Sequence, residues 1–502
     1  MSGLKKLASQ TLIYGVGNIL IKVINLLLTP WLSGAEHISK ADFGIFGQVY
    51  AFIAMINIVI TFGMETTFFR FIQDSEEKKK IYSQAFIWVA FLASLFLIFI
   101  LFFNEAIASS LGYEGRGNWI LLLGTVIFMD GLCALPLAKL RQEEKAGRFV
   151  SVLLSSVVVN IVLNYIFIIV LELGLTYVFI ANVAASAVKF GFGLIGNLPS
   201  SFRPDWKLLR SMLGYAFFIM IAGFAGIMNE TFDRATIPLL WPDGKPFEGV
   251  ARTGEEMNGI YAANYRVAVL ISLAIQAFRY AAEPFFFNRS KDKDSPQTFA
   301  KIFHYFIVAA LIGFLVIGSF SKEIVSFNFW GLTRFTFIDE RYWSGLTIVP
   351  ILLMAYVFSG AYLNMSIWYK ITKQVRFAIL FTGVGATITL VGNFLFIPSY
   401  GYYASAWATL ICYVVMSIMV YVIGQKYYPI PYKIGRALLY GGIFVIGFLL
   451  NQQIGPSEGS FIAFTGKAVI CLLCIGGMLG LERFIPVFNK VKQDQPSESS
   501  DE

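Results

Sequence analysis

Charged residues are scarce in this sequence. They make up only 14% of the 502 residues, whereas a soluble domain carries about 25%. Hydrophobic residues reach 57% and aromatic residues 16%. A chain of this length and composition cannot bury its apolar side chains in one soluble core. The composition therefore predicts an all-α polytopic membrane protein.

Histidine and cysteine are also rare. The two histidines are His37 and His304, and the four cysteines all lie in apolar runs, where a packing role is favoured. The sequence Cys471-x-x-Cys474 has the spacing of a redox or zinc motif but lacks the context of one. We find no metal-ligand spacing and no nucleophile–base pattern. The sequence thus predicts no metal, no cofactor and no enzymatic activity.

Long apolar runs are abundant, and fourteen of them can span a bilayer as helices, which takes about 20 residues each. They lie near 11–32, 43–64, 81–103, 118–139, 149–171, 174–196, 211–234, 258–282, 301–320, 345–368, 377–397, 401–424, 435–452 and 461–481. The connectors between these runs are short, so no separate extramembrane domain is predicted.

The distribution of lysine and arginine predicts the orientation of the chain. If the N-terminus is cytoplasmic, the inner loops hold roughly four times as many of these residues as the outer loops. This bias predicts that both termini are cytoplasmic and that the number of spans is even. It also accounts for the net charge of +8 without a nucleic-acid partner.

The sequence contains an internal repeat. GIFGQVYA at 44–51 resembles GIYAANYR at 259–266, and Asn164 has a counterpart in Asn393. Polar residues that recur at a nearly constant offset indicate two pseudo-symmetric six-helix lobes, related by an axis along the membrane normal. The predicted segments are an N-lobe (1–200, helices 1–6), a C-lobe (201–430, helices 7–12), helices 13 and 14 (431–486) and a disordered polar tail (487–502).

Ionisable residues inside spans are costly, and they are candidates for function. At 1.5 Å per residue, Lys22 lies about 16 Å into span 1, and Asp130 is similarly deep in span 4. Arg266 lies about 12 Å from the outer edge of span 8. Asp130 is predicted either to pair with Lys22 or to bind a coupling ion, H⁺ or Na⁺. Lys189 is nearer the inner face and is predicted to snorkel to the interface.

Three charged residues follow one another near the end of span 7. Glu230, Asp233 and Arg234 share one helix face, and the spacing of Glu230 and Arg234 predicts an ion pair. Two interpretations are open: a structural cluster that caps the helix before Pro238, or a polar gate at the outer rim of the cleft between the lobes. Asp130, Glu230 and Asp233 are therefore candidates for ion coupling or gating.

The deep cations suggest the substrate. Lys22 and Arg266 place positive charge at two heights of a cleft between two bundles, which favours an anionic substrate such as a phosphate. Two lobes that rock about such a cleft are typical of a carrier with alternating access.

Several stretches together resemble the polysaccharide transporter family of oligosaccharide-lipid flippases, within the multidrug/oligosaccharidyl-lipid/polysaccharide exporter superfamily. They are FGIFGQVYAFIAMI (43–56), LPLAKLRQEEKAGRF (135–149), Asp233-Arg234, GIY (259–261), Arg266 and AIQAFRYAAEPFFF (274–287). The resemblance covers essentially the whole chain.

The resemblance implies a V-shaped pair of lobes around a cationic cavity lined by helices 1, 2, 7 and 8. It implies translocation of a polyprenyl-diphosphate-linked glycan from the cytoplasmic to the outer leaflet of the bacterial inner membrane, for cell-surface polysaccharide biosynthesis. Lys22, Arg234 and Arg266 are then expected to face the diphosphate or the sugar. The implied partners are membrane lipid, a glycan polymerase and glycosyltransferases.

Three rival functions remain open. A multidrug or toxin cation antiporter of the same superfamily would be expected to have an acidic lobe, whereas Asp130 is the one deep acid here. A peptidoglycan lipid II flippase would differ only in its substrate. A membrane enzyme, such as a glycan polymerase or ligase, would need catalytic residues on a sizeable outer loop.

Overall fold

The computed structural model describes residues 23, 26, 28–73, 77–290, 292–328, 336–374, 376–454 and 461–484. Its helices are α1 (Thr29–Gly34), α2 (Lys40–Thr61), α3 (Met64–Gln73), α4 (Lys78–Ser110), α5 (Gly117–Gln142), α6 (Ala146–Asn164), α7 (Leu175–Leu194), α8 (Trp206–Leu240), α9 (Gly254–Arg289), α10 (Ser295–Ser319), α11 (Ser321–Ser326), α12 (Val349–Met365), α13 (Ile367–Ile371), α14 (Arg376–Tyr400), α15 (Tyr402–Tyr427), α16 (Ile434–Gln453) and α17 (Phe461–Phe484). A π-helical segment, Tyr165–Val170, extends α6, and a 3₁₀ helix, Glu340–Ile348, precedes α12. A short antiparallel hairpin of β1 (Pro246–Phe247) and β2 (Val250–Ala251) joins α8 to α9.

Thirteen helical stretches in this part of the chain are long and apolar enough to cross a membrane. They coincide with predicted spans 2 to 14, and the chain is thus a multi-pass membrane protein. The predicted first span, 11–32, lies mostly outside the described residues, and the predicted tail, 487–502, lies wholly outside them. The count of fourteen, the cytoplasmic termini and the lobe boundaries stay predictions.

Helices α2 and α9 begin in the same way. Ser39 accepts a hydrogen bond from the backbone N–H of Asp42, whose carboxylate accepts one from the N–H of Ser39, both at 3.0 Å. Thr253 and Glu256 form the same reciprocal pair at the start of α9. Such a capping box satisfies N–H groups that have no partner within the first turn of a helix. The two boxes add matching positions to the internal repeat.

Helix α8 extends further than the apolar pattern 211–234 predicted. It passes through Pro238 and ends at Leu240. The last turn persists because Ile237 is fully buried and its carbonyl accepts a hydrogen bond from the N–H of Trp241 at 3.1 Å. The cluster therefore does not cap the helix before Pro238, since it lies within the helix, and both interpretations, a structural cluster or a gate, stay predictions.

Helix α8 also connects the two halves of the chain. Near its start, Leu209 and Met212 are buried in one apolar cluster with Met64 and Phe68 of the first half. Further along, α8 packs against α14 of the second half. Burial of apolar area on both sides fixes this helix between the halves.

The start of α8 is held by a surface ion pair. Asp205 accepts hydrogen bonds from the backbone N–H groups of Lys207 and Leu208, both at 3.1 Å. The ammonium group of Lys80, at the start of α4, lies 2.9 Å from the same carboxylate. The hydrogen bond from Lys80 and those from the helix hold the pKa of the Asp205 carboxyl below its usual value.

The two C-terminal helices pack on the second half. Helix α16 lies against α10, where Asn451 donates a hydrogen bond to Ser319 at 2.8 Å. In α17, the ammonium group of Lys467 lies 2.8 Å from the carboxylate of Glu323 in α11. Lys467 is only 5% exposed, so this ion pair ties the last helix to the second half of the chain at a buried point.

Candidate functional site: a charged cavity between the two halves

A cavity of about 500 Å³ lies between the first and second halves of the chain, and we call it the charged cavity. Its walls come from the end of predicted span 1 and from α2, α5, α6, α7, α8 and α9. The ionisable residues in its lining are Asp130, Lys189, Arg234 and Arg266, and neutral polar side chains are supplied by Tyr50, Asn160 and Asn182, among others. Three bases thus face one acid.

The charged cavity is closed on the predicted outer side, where α2 crosses α9. Gly44 and Gly259 lie in this crossing. A Cβ atom on Gly44 would overlap the carbonyl oxygen of Glu255, and one on Gly259 would overlap that of Lys40. Asn258 donates a hydrogen bond to the Gly44 carbonyl at 2.7 Å. Only glycine permits backbones to approach this closely, so these two positions seal the cavity.

A second contact closes the same side. Arg341, in the 3₁₀ helix, donates hydrogen bonds to the carbonyls of Ser33 at 2.6 Å and Ala35 at 3.2 Å. Its own orientation is fixed by Asp339, 2.9 Å away. The second half of the chain thereby holds the loop that follows α1.

Arg266 is a largely buried cation in the wall of this cavity. Its guanidinium donates to the hydroxyl of Thr29 at 2.6 Å, and its Cζ lies 4.8 Å from the ring centre of Phe43. No carboxylate among the described residues forms an ion pair with it, and residues 1–27 contain neither aspartate nor glutamate. A buried charge without a counter-ion is unfavourable, and an anionic ligand would relieve it.

Arg234 has a different environment. Its Nε lies 3.3 Å from the Asp233 carboxylate, and its guanidinium donates to the backbone carbonyl of Glu230. Its Cζ lies 4.2 Å from the ring centre of Tyr265, and Tyr261 donates to Asp233. The predicted side-chain pair of Glu230 with Arg234 is wrong, because Asp233 and the Tyr265 ring on α9 hold the guanidinium instead. In the described chain, the Glu230 carboxylate has no ion-pair partner.

Asp130 pairs with Lys189 across the cavity wall. The carboxylate and ammonium groups are 2.6 Å apart, and the side chains are only 24% and 18% exposed. The prediction that Lys189 snorkels to the inner face is wrong, since α5 and α7 are adjacent and offer it a closer acid. Lys22, the other predicted partner of Asp130, lies outside the described residues, and its role stays a prediction.

A second cavity, of about 590 Å³, lies beside the first, and we call it the tyrosine chamber. It is lined mainly by α8, α9, α12, α13, α14 and α15. Its aromatic residues are Tyr356, Tyr362, Tyr369 and Tyr413, and its ionisable residues are Glu230, Arg279 and Lys370. Sequence reasoning missed this chamber, because the tyrosines come from three helices and share no local motif. Nor does the described part contain a group of three or more His, Cys, Asp or Glu side chains placed to hold a metal ion.

The fold is that of known membrane transporters. An inward-facing multidrug resistance MATE family transporter of the MOP superfamily matches with a TM-score of 0.64 and 15% identity, over 81% of this chain and 94% of that chain. A variant of a Vibrio cholerae MATE transporter gives 0.56 and 13%, over 85% and 98%. At these identities the likeness shows the fold alone.

A third structure with this fold differs in its binding pocket. It is a MOP superfamily transporter from Pyrococcus furiosus, with a TM-score of 0.55 and 14% identity over 84% of this chain and 94% of that chain. It is described as having a binding pocket of reverse polarity, which suggests a different function for that protein.

The family follows from the sequence. No curated protein matches the chain, but residues 7–290, more than half of it, match the family described as polysaccharide biosynthesis protein. The predicted resemblance is thereby confirmed at the level of the family. The chain is a multi-pass membrane protein that belongs to the polysaccharide biosynthesis protein family.

Proposed function

We propose that the protein is a flippase for a polyprenyl-diphosphate-linked oligosaccharide. It would carry this lipid from the cytoplasmic to the outer leaflet of the bacterial cytoplasmic membrane, for the synthesis of a cell-surface polysaccharide. The observation that carries the proposal is the lack of a carboxylate partner for Arg266 in the described residues. Family membership supports a glycan-type substrate.

A diphosphate suits the charged cavity. It supplies the negative charge that Arg266 lacks, and a guanidinium binds phosphate oxygens through two parallel hydrogen bonds. Arg234 also lines the cavity and adds a second guanidinium, although Asp233 partly neutralises it. A cation would meet three bases and a single acid that is already paired.

Access follows from the closed outer side. The diphosphate headgroup enters from the predicted inner side and binds at Arg266, while the polyprenyl tail stays in the bilayer. Rocking of the halves separates Gly44 from Gly259, and the headgroup leaves past Arg234. A gradient of H⁺ or Na⁺ would reset the carrier, with Asp130 as the coupling residue.

The rival substrates differ in chemistry. A cation antiporter has the support of the MATE-like fold, but the cavity acid that it would use is paired with Lys189. A lipid II flippase would also use the diphosphate at Arg266, and would differ in the sugar and peptide attached to it.

The test is leaflet translocation in proteoliposomes of a fluorescent undecaprenyl-diphosphate oligosaccharide. Arg266→Ala is expected to slow translocation by about 10- to 100-fold, the loss of a charged hydrogen bond. Arg266→Lys should recover part of the rate, because the charge remains. The matched control is Arg116→Ala, which removes an arginine that also lies over an aromatic ring, 4.1 Å from Trp119, but outside the cavity.

Efflux of an organic cation is measured on the same preparation. Glycolipid movement that falls in Arg266→Ala and persists in Arg116→Ala supports the flippase. Cation efflux without glycolipid movement in the wild type would overturn the proposal in favour of the antiporter. Movement of lipid II, but not of the oligosaccharide lipid, would identify the other rival.

A further inference from the structure

The tyrosine chamber is a preformed site of ligand size. Its volume of about 590 Å³ falls within the range of about 300–1,000 Å³ that small-molecule sites occupy. Tyr356 and Tyr362 are buried, at 7% and 6% exposure. The hydroxyl groups of Tyr362 and Tyr369 lie 3.5 Å apart, so neighbouring rings hold one another in place. The hydroxyls and amides of Ser272, Gln276 and Ser359 also reach this space.

A thin wall of side chains separates the chamber from the charged cavity. Tyr265 lines the charged cavity, and Tyr356, which lines the chamber, donates a hydrogen bond to its hydroxyl. Arg234 lines the charged cavity and donates a hydrogen bond to the backbone carbonyl of Glu230, a residue that lines the chamber. A headgroup with one part at Arg234 would therefore lie one layer of side chains from the chamber, and the contact between Tyr265 and Tyr356 would have to open for its next part to enter.

The two spaces differ in charge. Lys370 in the chamber is neutralised by Glu283, and Glu230 and Arg279 add one charge of each sign. The chamber thus lacks the surplus of positive charge that marks the charged cavity. Its character is set by flat aromatic faces with hydroxyl groups at their edges.

These groups match the surface of a sugar ring. A sugar presents an apolar face of C–H groups, which packs on an aromatic ring, and an edge of hydroxyls, which needs hydrogen bonds. Tyrosine offers both a face and a hydroxyl, and it loses little conformational entropy when it binds. Serine, glutamine and a free carboxylate serve the hydroxyl edge.

We propose that the tyrosine chamber binds the glycan part of the substrate, while the charged cavity binds its diphosphate. This rests on the proposed flippase function and divides the headgroup between two sites. The chamber then determines which glycan is accepted, and the charged cavity recognises what all such lipids share.

Gly226 offers a steric test. It lines the chamber, and a Cβ atom on it would meet no other atom within 4 Å. Gly226→Leu therefore fills the chamber without a clash at the backbone. Gly214, on the same helix, is equally open but does not line either cavity, so Gly214→Leu is the matched control.

A second variant removes a ring. Tyr413 is half-buried and packs against the core, so Tyr413→Ala empties part of the chamber wall at a cost in stability that a melting curve measures. Tyr413→Phe keeps the face and removes the hydroxyl. The control is Tyr400→Ala, since Tyr400 is 61% exposed and outside the chamber.

Binding of two lipids to the full-length protein in nanodiscs gives the readout. One is undecaprenyl diphosphate without sugar, and the other is the lipid-linked oligosaccharide extracted from the source cells. Gly226→Leu and Tyr413→Ala are expected to weaken binding of the oligosaccharide lipid by about tenfold, which is about 1.4 kcal/mol. They should leave undecaprenyl diphosphate unaffected.

Each result has one meaning. Equal loss for both lipids, or loss for neither, while the wild type binds both, would overturn the glycan site and leave the flippase proposal standing. A wild type that binds neither lipid would overturn the flippase proposal and the glycan site with it. Melting curves of the five variants show whether each is folded, and Tyr413→Phe replaces Tyr413→Ala as the test if Tyr413→Ala is not folded.

Discussion

Gly44 and Gly259 occupy equivalent positions in the two repeats and lie against each other where α2 crosses α9. An axis that relates the two halves must pass close to residues that touch their own counterparts, as in the symmetric interface of a dimer. The motif by which the repeat is detected in the sequence is thus the motif through which the halves meet. It also closes the charged cavity on the predicted outer side.

Enlarging either glycine should therefore loosen this closure. Gly44→Ala places a Cβ atom on the Glu255 carbonyl, and overpacking of this kind costs about 1–3 kcal/mol. We expect the carrier to shift towards an outward-open state. A cysteine introduced by Ala262→Cys, in the cavity lining just inside the crossing, should then react severalfold faster with a membrane-impermeant thiol reagent added outside.

The control for that experiment is Gly147→Ala, where an added Cβ atom meets nothing within 4 Å. Labelling that is equally slow in Gly44→Ala, Gly259→Ala and the control would show that the crossing is not the outer closure.

The Asp130–Lys189 pair should decide the coupling to an ion gradient. Asp130→Asn removes the only acid among the described residues that line the charged cavity. If Asp130 takes up the coupling ion, glycolipid translocation in proteoliposomes should become independent of both the proton and the sodium gradient. Asp292→Asn removes an acid from an exposed ion pair with Arg289 and should leave the dependence intact. A gradient dependence in Asp130→Asn that equals that of the wild type would remove Asp130 from the coupling step.

Asp233 should tune the affinity of Arg234 for anions. Asp233→Asn keeps the shape of the side chain but removes the charge 3.3 Å from the guanidinium. Binding of inorganic pyrophosphate, measured by calorimetry, is expected to tighten about fivefold, or about 1 kcal/mol. Tyr261→Phe removes the hydrogen bond to Asp233 but keeps its charge, so it should have little effect. Equal affinities in all three proteins would show that pyrophosphate does not bind near Arg234.

The buried pair of Lys467 and Glu323 should stabilise the docking of α17. Lys467→Met leaves the Glu323 carboxylate without this ammonium group, and breaking a buried ion pair costs about 3–5 kcal/mol. We expect a lower melting temperature in detergent and partial recovery in the Lys467→Met, Glu323→Gln double variant. Lys207→Met, at an exposed position, is the control. Melting of Lys467→Met at the wild-type temperature would mean that the pair is structurally neutral.

Spans could be predicted because hydropathy is a local property. The run 301–320 matches α10, and the run 461–481 matches α17. Each helix must present apolar side chains to lipid or to the protein interior along its own length. Helix starts were predicted less well: the predicted span 258–282 begins inside α9, which starts at Gly254 after the capping box of Thr253 and Glu256. The end of α8 was not predicted either, because the packing of Ile237 outweighs the local effect of Pro238.

Side-chain partners could not be predicted, because they depend on which helices become neighbours. From the sequence alone, Lys189 could reach the interface at the end of its helix, and Glu230 could pair with Arg234 on its own helix. Their actual environments come from Asp130 on α5 and from the chamber beside α12. Arg266 was recognisable because an arginine so deep in a span is rare in any arrangement of helices.

If the protein works as the proposed carrier, the uncompensated charge of Arg266 would also make it sensitive to voltage. When empty, the proposed carrier would move a positive charge through the membrane as it reorients. A bound diphosphate diester carries more negative charge than Arg266 carries positive charge, so the net charge of the loaded cavity would be negative. A membrane potential acts on a charge with about 2.3 kcal/mol per 100 mV across the full field. A potential that is negative inside would therefore favour the return of the empty protein to its inward-facing state. The membrane potential would then drive this return by acting on the charge of a single arginine.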